Sequence, residues 1–116
     1  MIRYINESCS FTKEFIMKYN KLVRDKIPEY IQSKGGAPVW HIADADEYQQ
    51  KLYEKLQEEV DEFLATPNAE ELADILEVIE AIRDNLRISA TDLRLIKDKK
   101  SNERGKFRKK IILDES

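Results

Sequence analysis

The sequence predicts an all-α fold built on an antiparallel helical hairpin, and three observations lead there. Apolar residues recur at helical spacing over two consecutive stretches, about 46–65 and 69–86. Only Thr66-Pro67-Asn68 interrupts them, a connection so short that the two helices must run antiparallel. The chain has 116 residues, enough for one domain but far short of a (β/α)8 barrel, which takes about 250.

The elements follow in order. Residues 1–16 show weak periodicity and read as an N-terminal extension ahead of a single domain over 17–116. KLVRDK, residues 21–26, reads as a short extended segment. Pro28 suits the first turn of a short helix over about 28–34, which Gly35-Gly36 would end. Val39, Trp40 and Ile42 alternate as a short strand or an extended arm. Asp44 or Asp46 would cap the first long helix, with Leu52, Leu56, Val60, Phe63 and Leu64 on its apolar side. The second long helix carries Leu72, Ile75, Leu76, Val78, Ile79, Ile82 and Leu86, an arc wide enough to require cover on more than one side. Ser89, with Asp92 three residues on, would cap a third helix running to about 103. Gly105 ends it, and Phe107 to Leu113 follow as a short strand or tail.

Composition excludes several classes of function. The chain is 41% hydrophobic and 37% charged, and its apolar residues are grouped, which argues against wholesale disorder. One cysteine, Cys9, rules out an internal disulfide framework. One Cys with one His, His41, makes a poor zinc site. No run approaches 18–20 apolar residues, and MIRYINESCSF lacks the apolar stretch of a signal peptide, so a soluble cytoplasmic protein without a membrane span is expected. The formal net charge of −3 hides two opposed blocks. Positions 44–80 hold thirteen acidic residues against Lys51 and Lys55, and positions 97–110 hold eight basic residues against Asp98 and Glu103. The basic stretch could bind phosphate or nucleic acid, but the acidic block argues against a broad DNA-facing surface.

Several carboxylates fall where packing alone would not put them. On a helical wheel with Leu52 at 0°, Leu56 lies at about 40°, Phe63 at about 20° and Glu59 at about 340°, inside the apolar arc. Glu62 borders that arc at about 280°, Glu58 lies further out at about 240°, and Asp61 is outside at about 180°. On the next helix Glu71 and Asp74 share a face and border Val78 and Ile82. A hairpin would set the two pairs opposite each other. Converging carboxylates need a cation, a basic partner or protonation, and hard oxygen donors at this spacing suit Mg²⁺ or Mn²⁺. Such pairs are also common on exposed helices, so surface salt bridges to Lys51 and Lys55 remain an alternative at this point. A di-iron carboxylate bundle would need Glu-x-x-His ligands, and His41 lies outside both long helices.

Glu58-Glu59-x-x-Glu62 followed by Glu71-Leu72-Ala73-Asp74 resembles the MazG-like, all-alpha nucleoside triphosphate pyrophosphohydrolase superfamily, whose signature is Glu-x-x-Glu on one helix and Glu-x-x-Asp on the next. The small bacterial and phage proteins labelled phosphoribosyl-ATP pyrophosphohydrolase-like are similar in four motifs in the same order: Tyr19 to Ile31, Lys55 to Phe63, Glu70 to Ile79 and Arg104 to Leu113. The resemblance covers about residues 17–113. The chain departs from many members in the short connection, Phe63 to Glu70, between its acidic pairs, and in residues 1–16, which lie outside the likeness.

The resemblance implies a MazG-like fold, a nucleotide substrate, and Mg²⁺, with Mn²⁺ as a substitute, held by Glu59, Glu62, Glu71 and Asp74. It implies hydrolysis of the α–β phosphoanhydride of an NTP or dNTP to a nucleoside monophosphate and pyrophosphate, in a house-cleaning role. Glu59 or Glu62 would take the water proton, and Glu58 would support them from behind. Lys21, Arg24, Lys26 and Lys55 are the candidate phosphate-binding cations. As an extended strand, 21–26 would put Arg24 and Lys26 on one side and Lys21 on the other. Trp40 and Tyr53 are candidates for stacking on a base or for packing. A homodimer or higher homo-oligomer is expected, with a second copy covering the hairpin's other apolar face. Two readings stand beside this one: a catalytically inactive relative that binds a nucleotide or a protein, and true phosphoribosyl-ATP hydrolysis.

Overall fold

A computed structural model describes residues 20–116. The expected extension at 1–16, Cys9 and the Met17–Tyr19 start of the first motif lie outside the described residues. Four helices and no strand are present among those described: α1 (Ile27–Ser33), α2 (Ala45–Ala65), α3 (Ala69–Asn85) and α4 (Ala90–Arg104). The protein is all-α, as the periodicity predicts. None of these helices is long and apolar enough to cross a membrane. The chain divides into two compact units, Met1–Ile82 and Arg83–Ser116.

In the first unit each helix end has a local cause. Asp44 Oδ1 accepts from the Glu47 backbone N–H at 2.9 Å, so Asp44, not Asp46, is the cap of α2. Asn68 Oδ1 accepts from the Glu71 N–H at 2.9 Å and starts α3 straight after the Thr66-Pro67 break. At the end of α1 the Gly36 N–H donates to Ile31 O and the Gly35 N–H to Gln32 O, a Schellman closure with Gly35 at φ 90°. A Cβ on Gly36 would come within 2.6 Å of Ile31 Cγ2, so the second glycine serves close approach.

The segments expected to extend do not form strands. KLVRDK bends at Lys21 and turns at Asp25-Lys26, where the Ile27 N–H donates to Arg24 O at 3.0 Å. The turn places buried Ile27 at the head of α1. Val39, Trp40 and Ile42 are exposed, Val39 almost wholly, and pair with no neighbouring strand.

The interior of the first unit is unusual in composition. Among the described residues only Ile27, Leu52 and Val78 are buried apolar side chains, with Leu52 1% exposed. Lys55, Glu59, Glu71 and Asp74 are buried beside them. Meanwhile Leu72, Leu76 and Ile79 form an exposed stripe along α3. The wide arc read from the sequence therefore resolves into two faces, one inward and partly acidic, the other outward and apolar.

The second unit begins with the last turn of α3. The Ile88 N–H donates to Arg83 O and the Arg87 N–H to Asp84 O, the same closure that ends α1. Here the left-handed position is taken by Arg87 at φ 60°. Ser89 Oγ accepts from the Asp92 N–H at 3.0 Å and caps α4, as its spacing predicts. Gly105, at φ 85°, ends the helix with its N–H on Ser101 O at 2.8 Å. The tail from Phe107 to Leu113 is exposed and forms no strand.

A Cβ is costly in the left-handed region, and glycine escapes that cost while losing more chain entropy. Arg87→Gly should therefore stabilise the protein by about 0.5–1 kcal/mol. A rise in the urea midpoint at unchanged slope is the expected readout.

Candidate metal centre

The turn between α2 and α3 sets the register of the acids. Glu59 lies before it on α2, and Glu71 and Asp74 lie after it at the start of α3. Side-chain oxygens of these three buried residues lie within 4.8 Å of one another. A second group with the same spacing, Glu58, Glu59 and Glu62, sits on α2 itself. Glu59, 2% exposed, belongs to both groups. The four expected ligands are thus arranged as two triads that share one residue and recruit Glu58 as a fifth carboxylate. Burial follows the wheel: Glu59 is buried, Glu58 and Glu62 are half-buried, and Asp61 is exposed.

Helix ends contribute to the local potential. Glu71 stands in the first turn of α3, where the unpaired N–H groups favour negative charge. Glu62 stands in the last turn of α2, which contains no basic residue and where the carbonyl end disfavours negative charge.

Among the described residues three cations answer the acids. Lys55 Nζ, on a buried side chain, lies 3.1 Å from Glu59 Oε2 and 3.4 Å from Glu58 Oε2. Lys21 Nζ lies 3.0 Å from the same Glu58 oxygen. Arg24 Nη2 donates to Asp74 Oδ1 at 2.8 Å. Partial burial pushes the Glu58 carboxyl up, but the Lys21 hydrogen bond and the Lys55 and Lys21 charges outweigh it, so it titrates below the ordinary glutamate value.

Because KLVRDK is bent, Lys21 and Arg24 both reach the hairpin acids, one on each helix. That differs from the opposite-sided placement a strand would impose. Lys26 occupies the N-cap position of α1 without a side-chain cap hydrogen bond, is exposed, and makes no ion pair among the described residues. Lys51 does more than the sequence suggested. Its Nζ donates to the Asn20 backbone carbonyl at 2.9 Å as well as to Glu54. A backbone acceptor has no residue type to mark it, so no pattern in the sequence announces that contact. Trp40 and Tyr53 are exposed and fill no core position.

Five carboxylates converge here, and among the described residues Lys21, Arg24 and Lys55 pair with Glu58, Asp74 and Glu59. Glu59 Oε1 is buried and has no hydrogen-bond partner among the described residues. The donors are carboxylate oxygens only, the set that hard divalent cations prefer. The cluster could therefore hold a metal ion. Comparison with protein-family models, with curated proteins and with solved structures gave no match to this chain.

Removing one partner of a buried ion pair leaves the other charge uncompensated. Lys55→Met should destabilise the cation-free protein by about 3 kcal/mol in urea denaturation. Added Mn²⁺ should recover part of that loss. It should also raise the melting temperature of the wild type with increasing concentration, and do so much less in Glu59→Gln, which damages both triads at once.

Proposed function

We propose that the α2–α3 hairpin is the active centre of a metal-dependent nucleoside triphosphate pyrophosphohydrolase of the MazG-like kind. The observation that carries this reading is the oxygen-only acidic cluster shared by α2 and α3, buried at Glu59, Glu71 and Asp74 and edged by Lys21 and Arg24. Water adds across the α–β phosphoanhydride of an NTP or dNTP, giving a nucleoside monophosphate and pyrophosphate. Glu59, Glu62, Glu71 and Asp74 would hold Mg²⁺, or Mn²⁺ in its place, which would supply charge neutralisation at the phosphoryl oxygens and a more acidic water.

The chain's own groups divide the remaining work. Arg24 and Lys21 line the edge of the cluster, where polyphosphate oxygens would meet donors. Lys55 stays inside as counter-charge to Glu59. Glu62, half-buried and in only one triad, is the carboxylate best suited to take the water proton while Glu59 and Asp74 hold the cation. The outward stripe of Leu72, Leu76 and Ile79 supports a homo-oligomer in which a second copy covers α3.

Pyrophosphate release from a panel of NTPs, dNTPs and phosphoribosyl-ATP tests the reaction. Glu59→Gln should lose both turnover and the cation-induced rise in melting temperature. Glu62→Gln should keep most of that rise and lose turnover by about 100-fold. Folded, cation-binding protein that releases nothing from any member of the panel would instead be a nucleotide- or protein-binding relative.

A further inference from the structure

We propose that Arg24 is an exchangeable counter-ion: it holds Asp74 while the acidic centre is empty, is displaced when a divalent cation binds, and then pairs with the oxygens of the incoming polyphosphate. The inference rests on the cation-binding reading above and goes beyond it in saying what competes with the cation.

Of the two cations paired with the inner triad among the described residues, Arg24 is far the more exposed. Lys55 is buried, its side chain 7% exposed, with its charge against Glu59. Arg24 holds Asp74 at 2.8 Å with a side chain 46% exposed, so solvent reaches it.

Its backbone, by contrast, is fastened on both sides. Behind it the Ile27 N–H donates to Arg24 O, and Ile27 is buried. Ahead of it Lys21 pairs with Glu58, and Lys51 donates to Asn20 O. The exchange is therefore a side-chain rotation from a fixed Cα, which keeps the guanidinium close to the centre in either position.

Electrostatics sets the direction. A divalent cation among Glu59, Glu71 and Asp74 would repel a guanidinium bound to the same Asp74 carboxylate, so each weakens the other's hold. A polyphosphate brings new anionic oxygens to the same edge, and the guanidinium fork suits them as well as it suits a carboxylate. Glu59 Oε1, buried and without a hydrogen-bond partner among the described residues, is the independent sign that the triad awaits a cation.

The test is a pair of binding measurements on the full chain: Mn²⁺ alone, then inorganic triphosphate at saturating Mn²⁺. Arg24→Gln should bind Mn²⁺ more tightly than the wild type, by about fivefold, the upper range for a partly exposed ion pair. The same variant should bind triphosphate about tenfold more weakly. Arg24→Lys, which keeps the charge, should return Mn²⁺ affinity toward wild type and restore triphosphate binding only in part. A merely structural role would move both affinities the same way, with a fall in melting temperature. Unchanged or weaker Mn²⁺ binding in Arg24→Gln overturns the exchange while leaving the metal centre standing. Mn²⁺ binding with no effect of Arg24 on triphosphate overturns the hand-over. No Mn²⁺ uptake by the wild type defeats the metal centre and this proposal together.

Discussion

Burying carboxylates in the middle of a helical hairpin is the constraint on which the rest of this structure depends. Glu59, Glu71 and Asp74 sit as deep as any apolar side chain of the first unit except Leu52. Ionised groups so placed destabilise a fold unless they are answered. Lys55 from within α2 and Arg24 from the segment before α1 answer Glu59 and Asp74. The groups gathered around them are carboxylate oxygens, the donor type that a hard divalent ion prefers.

The local structure around the turn follows from that constraint. Asn68 satisfies the Glu71 N–H, so the residue that starts α3 also fixes the backbone of a cluster member. The first turn of α3 lowers the cost of Glu71, whereas the last turn of α2 raises the cost of Glu62. Placing the acids near the turn also sets their spacing, since helices diverge least where the connection is shortest. Insertion of residues between Thr66 and Asn68 would leave the acid motifs intact in sequence while changing the geometry between them.

Helices and wheel positions were legible in the sequence because they depend on local periodicity. The α2 and α3 bounds, the Ser89 cap and the order of burial from Glu59 through Glu62 to Asp61 could all be read at 100° per residue. The path of KLVRDK was not legible. Six residues without strong periodicity read as a strand, and the turn at Asp25-Lys26 is fixed by burying Ile27, a tertiary event. That one misreading also hid the convergence of Lys21 and Arg24. Glu58 was legible only in part: its wheel angle marks it as outlying, and the contact with Lys21 comes from another segment.

The two faces of α3 bear on how the centre can be built at all. Glu71, Asp74 and Val78 turn inward, while Leu72, Leu76 and Ile79 turn out. An isolated helix pair would gain by the reverse arrangement, with leucines inside and acids in water. The observed choice is favoured if both faces are rewarded. A cation would offset the acids, and an apolar neighbour would offset the leucines. Each offset depends on the other, because both faces belong to one rigid helix and rotating α3 to bury its leucines would carry Asp74 away from Glu59. Cover on the outward face would therefore fix the rotation of α3, and that rotation keeps the acids of two helices close together.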